Sequence, residues 1–134
     1  MKTLNVDSSM RALIGGAFYP SGHTMVMYAT EQQARGSAEK LFANGFTGDD
    51  VYFVPPADVL AQIGPTVQHT DEPLPSAGTD GATAREFIER AGQGQYGLLV
   101  ATPGDAAAAR LKAVLDEAGY EIARRYYSLA IEDL

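Results

Sequence analysis

The chain has 134 residues, 46% of them apolar, 20% charged and none of them cysteine. Seventeen acidic against ten basic residues leave a net charge of −7, which argues against a general nucleic-acid binder, because such proteins need a concentrated positive field. The absence of cysteine removes disulfides, thiolate metal sites, iron–sulfur clusters and cysteine nucleophiles.

The apolar fraction overstates the core, since 21 of those residues are alanine. A single domain of this length still buries about two-thirds of its unfolded surface, enough to fold without staples. No apolar run approaches the ~18 residues of a membrane span. The opening stretch MKTLNVDSSMRALIGGAFYPSG has one Lys, an early Asp and no sustained apolar centre, unlike a secretory leader. The expected location is cytoplasmic.

In chain order, residues 1–22 read as an N-terminal arm whose first eight or so residues are mobile. Gly15-Gly16 interrupts the apolar run Met10–Phe18, and Tyr19-Pro20-Ser21-Gly22 marks a turn. The domain proper spans 23–134. His23–Tyr28 is a short strand. Thr30 then caps a helix with Gln33 at capping-box spacing, and Ala34, Ala38, Leu41 and Phe42 share one face. Gly45 ends that helix, Asp49-Asp50 belongs to a turn, and Val51–Val54 is a strand stopped by Pro55-Pro56. Ala57–Ile63 is a short helix. Residues 64–82, rich in Pro, Thr, Gly and Asp, read as a long loop and the least ordered internal segment. A helix from Thr83 to Ala91 and a strand over Tyr96–Ala101 follow. Thr102 is the expected cap of the next helix, with Pro103 in its first turn. The final strand runs to Ile131.

An internal repeat organises these elements. MVMYAT, a helix, LFANGF and VYFV are echoed by GLLVAT, a helix, LDEAGY and RRYYSLAI. Two such halves in tandem give βαββαβ, the ferredoxin-like plan, an α+β fold. It predicts a four-stranded antiparallel sheet of Met25–Tyr28, Val51–Val54, Tyr96–Ala101 and Arg124–Ile131. The expected spatial order is Arg124–Ile131, Met25–Tyr28, Tyr96–Ala101, Val51–Val54. Right-handed crossovers place the principal helices, Glu31–Ala43 and Pro103–Ala118, on one face. Residues 57–95 are a helical insertion between the halves.

The unit MVMYATEQQARGSAEKLFANGFTGDDVYFV resembles the opening unit of the general stress proteins of the YflT-like type, through Glu31, Ala34, Gly45-Phe46, Asp49-Asp50 and Val51–Val54. YGLLVAT and LDEAGY resemble that family's second half. The resemblance covers residues 23–131 architecturally and leaves out the arm and the stretch 64–82. It implies a stress-associated cytoplasmic α+β protein without an established reaction, and it supplies no catalytic residues.

Few residues invite chemistry. His23 and His69 are the only histidines and sit in no metal-ligand spacing. Gly92-Gln93-Gly94 precedes a strand, not a helix, so no phosphate cradle is expected. No serine stands in a nucleophile elbow. The most suggestive cluster is Arg124-Arg125-Tyr126-Tyr127. Alternation puts Arg124 and Tyr126 on one face, Arg125 and Tyr127 on the other. The candidate ligand-binding residues are Arg124, Tyr126 and His69, with no catalytic residue, metal or cofactor.

The strands MVMY, VYFV, LLVA and SLAI are apolar on both parities. With Met25, Met27, Leu99 and Ala101 turned toward the principal helices, Val26, Tyr28, Leu98 and Val100 face outward and need a cover. The candidates are a second copy of the chain, the segment Met10–Phe18, or the inserted helices. The expectation is a non-enzymatic stress-associated or regulatory protein, homodimeric through the open sheet face, that acts by self-association or partner binding. One alternative is a sensor or carrier of a nucleotide or metabolite at a dimer cleft. Another is an enzyme like the dimeric α+β-barrel proteins, with His23 or His69 as base.

Overall fold

The runs of β-branched, aromatic and thioether side chains in this sequence become strands, and the Ala-rich runs with helical spacing become helices. The computed structural model describes residues 1–67 and 80–134. The strands are β1 (Lys2–Thr3), β2 (His23–Tyr28), β3 (Val51–Val54), β4 (Tyr96–Ala101), β5 (Ile122–Tyr126) and β6 (Ile131–Asp133). The helices are α1 (Glu31–Ala43), α2 (Pro56–Asp58), α3 (Asp80–Gly92) and α4 (Asp105–Ala118). α2 continues through a π turn, Val59–Ile63, and a tight 3₁₀ turn, Gly64–Thr66.

The fold is α+β with one mixed sheet in the order β1-β3-β4-β2-β5-β6. Its four central strands pair antiparallel, in the order expected for them. The sheet nevertheless has six strands, not four. β1 adds in parallel to β3, with Lys2 opposite Tyr52 and Thr3 opposite Phe53. The expected final strand Arg124–Ile131 breaks at a turn closed by Tyr127 N–H on the Ala130 carbonyl (2.8 Å), and β6 returns beside β5.

Each face of the sheet carries its own core. On one side Val26, Tyr28, Leu98, Val100 and Ala123 pack under α1 and α4 against Ala34, Ala38, Leu41, Leu111, Val114 and Leu115. The parity is thus the reverse of the expected one. On the other side Met25, Met27, Leu99, Ile122 and Tyr126 lie under Leu4, Met10, Phe18 and Tyr19 of the arm, Val59 and Ile63, and Ala84, Phe87 and Ala91 of α3. The sheet face opposite the principal helices α1 and α4 is therefore covered by the chain's own arm and insertion. The surface on which a dimer through that face rested is internal.

The arm packs against the domain. Leu4 is buried, and Lys2 Nζ sits 4.3 Å from the Tyr52 ring centroid. Arm and insertion are latched: Phe18 N–H donates to Thr66 Oγ1 (3.0 Å), and Val6 N–H to Gln62 Oε1 (3.1 Å). The loop expectation for 64–82 is cut back at both ends, since Gly64–Thr66 is a tight turn and α3 starts at Asp80. Its centre, 68–79, lies outside the described residues.

Two substitutions probe this packing. Phe18, fully buried with its ring edge-on to Phe87 and Tyr126, should cost about 3–5 kcal/mol as Phe18→Ala, whereas a detachable arm would cost almost nothing in urea unfolding. At Gly97 an added Cβ would meet Met25 Cε at 2.7 Å and Val54 Cβ at 3.3 Å. Gly97→Ala should therefore destabilise by about 1–3 kcal/mol in the same measurement.

Candidate functional site

The cluster at the end of β5 is where alternation along a strand has the largest consequences. Arg124 and Tyr126 point to the arm side of the sheet, Arg125 toward α4, as the period of two requires. Arg124 faces two carboxylates of its own chain. Its guanidinium bonds Glu86 of α3 at 3.2 Å and Asp133 of β6 at 2.8 Å, tying three elements together. Tyr126 is 1% exposed, wedged edge-on between Phe18 and Tyr19. His69, the third expected site residue, lies outside the described residues. His23 is half-buried, its Nδ1 3.1 Å from the Ser21 carbonyl.

The concave feature of this end of the molecule is a groove of about 490 Å³ between the arm and the β5–β6 turn. Its polar lining includes Ser8, Ser9, Arg11, Tyr19 and Asp80; its lips are the exposed Leu13, Ile14 and Leu129. The lips are built by two hairpin tips. Arg11 bridges Phe18, Ala12 N–H bonds the Ala17 carbonyl at 2.8 Å, and the chain reverses through Leu13-Ile14-Gly15-Gly16. Gly15 and Gly16 take φ of 84° and 72°, a region that disfavours side chains, which is why the tip needs paired glycines. Leu129 crowns the neighbouring Tyr127–Ala130 turn. Relative exposures of 104% for Leu13, 92% for Ile14 and 96% for Leu129 show that none packs on its own chain.

The Tyr19 hydroxyl pins the two hairpins together, reaching the Tyr127 carbonyl at 2.5 Å and the Ala130 carbonyl at 3.0 Å. Beneath it the Tyr126 hydroxyl is buried without a hydrogen-bond partner among the described residues. Burial, then the negative charge of Asp80, push the Tyr126 phenol well above its ordinary value of 10 and raise that of Tyr19. Across the sheet, burial also raises the Tyr28 phenol, although its hydroxyl donates to Ser37 Oγ at 2.7 Å.

Among the described residues the groove brings together no nucleophile–base pair, and His23 does not line it. Among the described residues no three His, Asp or Glu side chains gather to hold a metal ion, and no helix is long and apolar enough to cross a membrane. The groove was not among the features expected from the sequence. The signals for it were the Gly15-Gly16 pair after Leu13-Ile14, and Ser128-Leu129 inside an apparent strand. Compared with family models, curated proteins and solved structures, the chain matches none.

Removing the orphaned hydroxyl in Tyr126→Phe should leave stability unchanged or raise it by about 1 kcal/mol; a loss of that size would mean the hydroxyl is bonded. The phenols have folded pKa values above the unfolded value, so the neutral forms are favoured in the folded state. Stability should hold below pH 10 and fall as pH rises beyond it. Tyr126→Phe should blunt that alkaline loss, followed by far-ultraviolet circular dichroism.

Proposed function

We infer that the protein is a non-catalytic, stress-associated or regulatory protein that works by self-association, through the groove and its two hairpin tips rather than through a sheet face. The stress-associated role and a cytoplasmic setting rest on the YflT-like resemblance, and with them goes a ferredoxin-like reading of the four central strands. The single observation that carries the association is the convergence of Leu13, Ile14 and Leu129, all essentially fully exposed, on the rim of one groove.

The occupant is a second copy of the chain. A convex apolar tip beside a concave groove on the same surface is self-complementary, as a two-fold contact requires: the tip of one protomer enters its partner's groove, and the reverse. Burying three such side chains on each of two protomers offers roughly 9–18 kcal/mol. Association costs about 4–15 kcal/mol in lost freedom. The midpoints of these ranges differ by about 4 kcal/mol, which describes a weak, reversible dimer with Kd on the order of 10⁻³ M, the class of small transient interfaces.

Sedimentation equilibrium up to millimolar concentration tests this. The unmodified chain should show a reversible monomer–dimer equilibrium. Leu13→Asp with Ile14→Asp should abolish it, and Leu129→Asp should weaken it at least tenfold. None should change stability by more than about 0.5 kcal/mol, because the side chains touch nothing in the monomer. A strict monomer throughout the range would overturn the reading.

A further inference from the structure

The two Ala-Thr-helix units of the internal repeat start their helices differently. In the first, Thr30 is the N-cap of α1 and its hydroxyl accepts from Gln33 N–H at 3.1 Å. In the second, the expected cap Thr102 is turned away: its hydroxyl is bonded to Thr24 Oγ1 at 2.9 Å, and both side chains are buried. α4 begins later than expected, at Asp105, with Gly104 as an N-cap that has no side chain to offer. The first N–H groups of this 14-residue helix therefore have neither an intrahelical acceptor nor a side-chain cap.

A second, independent feature is delivered to the same place. Arg125 stands in register with Thr24. Its side chain is 8% exposed, while that of its ion-pair partner Asp105 is 96% exposed. The contact from Nη1 to Asp105 Oδ1, at 3.1 Å, brings the guanidinium to the first residue of α4. Nε is buried and has no hydrogen-bond partner among the described residues. The Tyr127 ring supports the guanidinium from 4.4 Å. A guanidinium carries five donors, and two bonded hydroxyls use only one of their two protons between them. Donors thus outnumber acceptors, the helix dipole adds positive potential, and the one carboxylate paired with Arg125 among the described residues stands in solvent. A buried cation held by a solvated carboxylate calls for a better acceptor.

We propose that Arg125, the Thr24–Thr102 hydroxyl pair and the uncapped N-terminus of α4 form a site for a phosphoryl group, with Asp105 as the resident carboxylate that the ligand displaces. Three acceptor oxygens and a double charge match a planar guanidinium and a row of helix N–H groups. The site lies on the α4 side of the sheet, away from the groove, and does not depend on self-association.

The test is an amide and Arg Nε–H nuclear magnetic resonance titration with inorganic phosphate, at ionic strength held constant with chloride. Saturable shifts are expected at Asp105, Ala106, Ala107 and the Arg125 side chain, with a midpoint on the order of 1 mM. Asp105→Ala should tighten that midpoint roughly fivefold by removing the competing carboxylate. Arg125→Gln should abolish the shifts, and because that variant risks the fold, Asp105→Ala carries the decision. A nucleoside monophosphate should shift the same residues: a midpoint equal to that of phosphate assigns the phosphoryl group alone, a tighter one a phosphate ester. Shifts no larger than those from chloride, or a midpoint unchanged or weakened in Asp105→Ala, would overturn the proposal and leave Arg125–Asp105 a structural ion pair.

Discussion

Every larger feature of this molecule follows from strands that are apolar on both faces. A strand such as MVMY cannot point Met25 and Met27 into a core without pointing Val26 and Tyr28 the opposite way. One layer of helices can cover only one of these sets. The chain resolves the conflict internally by building a second layer, and the identity of that layer determines what is left on the surface.

The two layers are unlike each other. α1 and α4 lie against the sheet through Ala34, Ala38 and Ala108, small enough for close approach, with Leu41, Leu111 and Leu115 filling the gaps. The second layer is assembled from an arm, a π turn and one helix. It carries polar groups inward to hold itself together: Thr66 joins the arm to the insertion, and Tyr19 joins the arm to the β5–β6 turn. The cost is visible in the same place, where the Tyr126 hydroxyl and Arg90 Nε are buried without hydrogen-bond partners among the described residues. Closing this layer also forces the chain through two tight reversals, and those reversals are what place Leu13, Ile14 and Leu129 in solvent.

Local signals were legible where local physics decides. The Thr30 cap, the span of α1, the strand β4 and the order of the four central strands follow from capping spacing, periodicity and the internal repeat. The arm was not legible, because a two-residue strand has no period and Lys2–Thr3 is held only by β3. The alternation of Arg124 and Tyr126 against Arg125 was readable, yet its meaning was not: whether a face of β5 meets solvent depends on α3 and the arm, which are remote in sequence. Thr102 shows a local rule overridden. Its spacing is that of a cap, but the register between β2 and β4 sets Thr24 beside it, and the hydroxyls satisfy each other instead.

The ends of the sheet are occupied by very short strands. β1 has two residues, one of them Lys2; β6 has three, two of them Glu132 and Asp133. A border this brief and this charged offers an incoming peptide almost no row of free backbone groups with which to align. The sheet is thereby protected from growing edge to edge into fibrils, even though its interior strands, rich in Val, Leu, Met and Tyr, have the composition from which such fibrils are made.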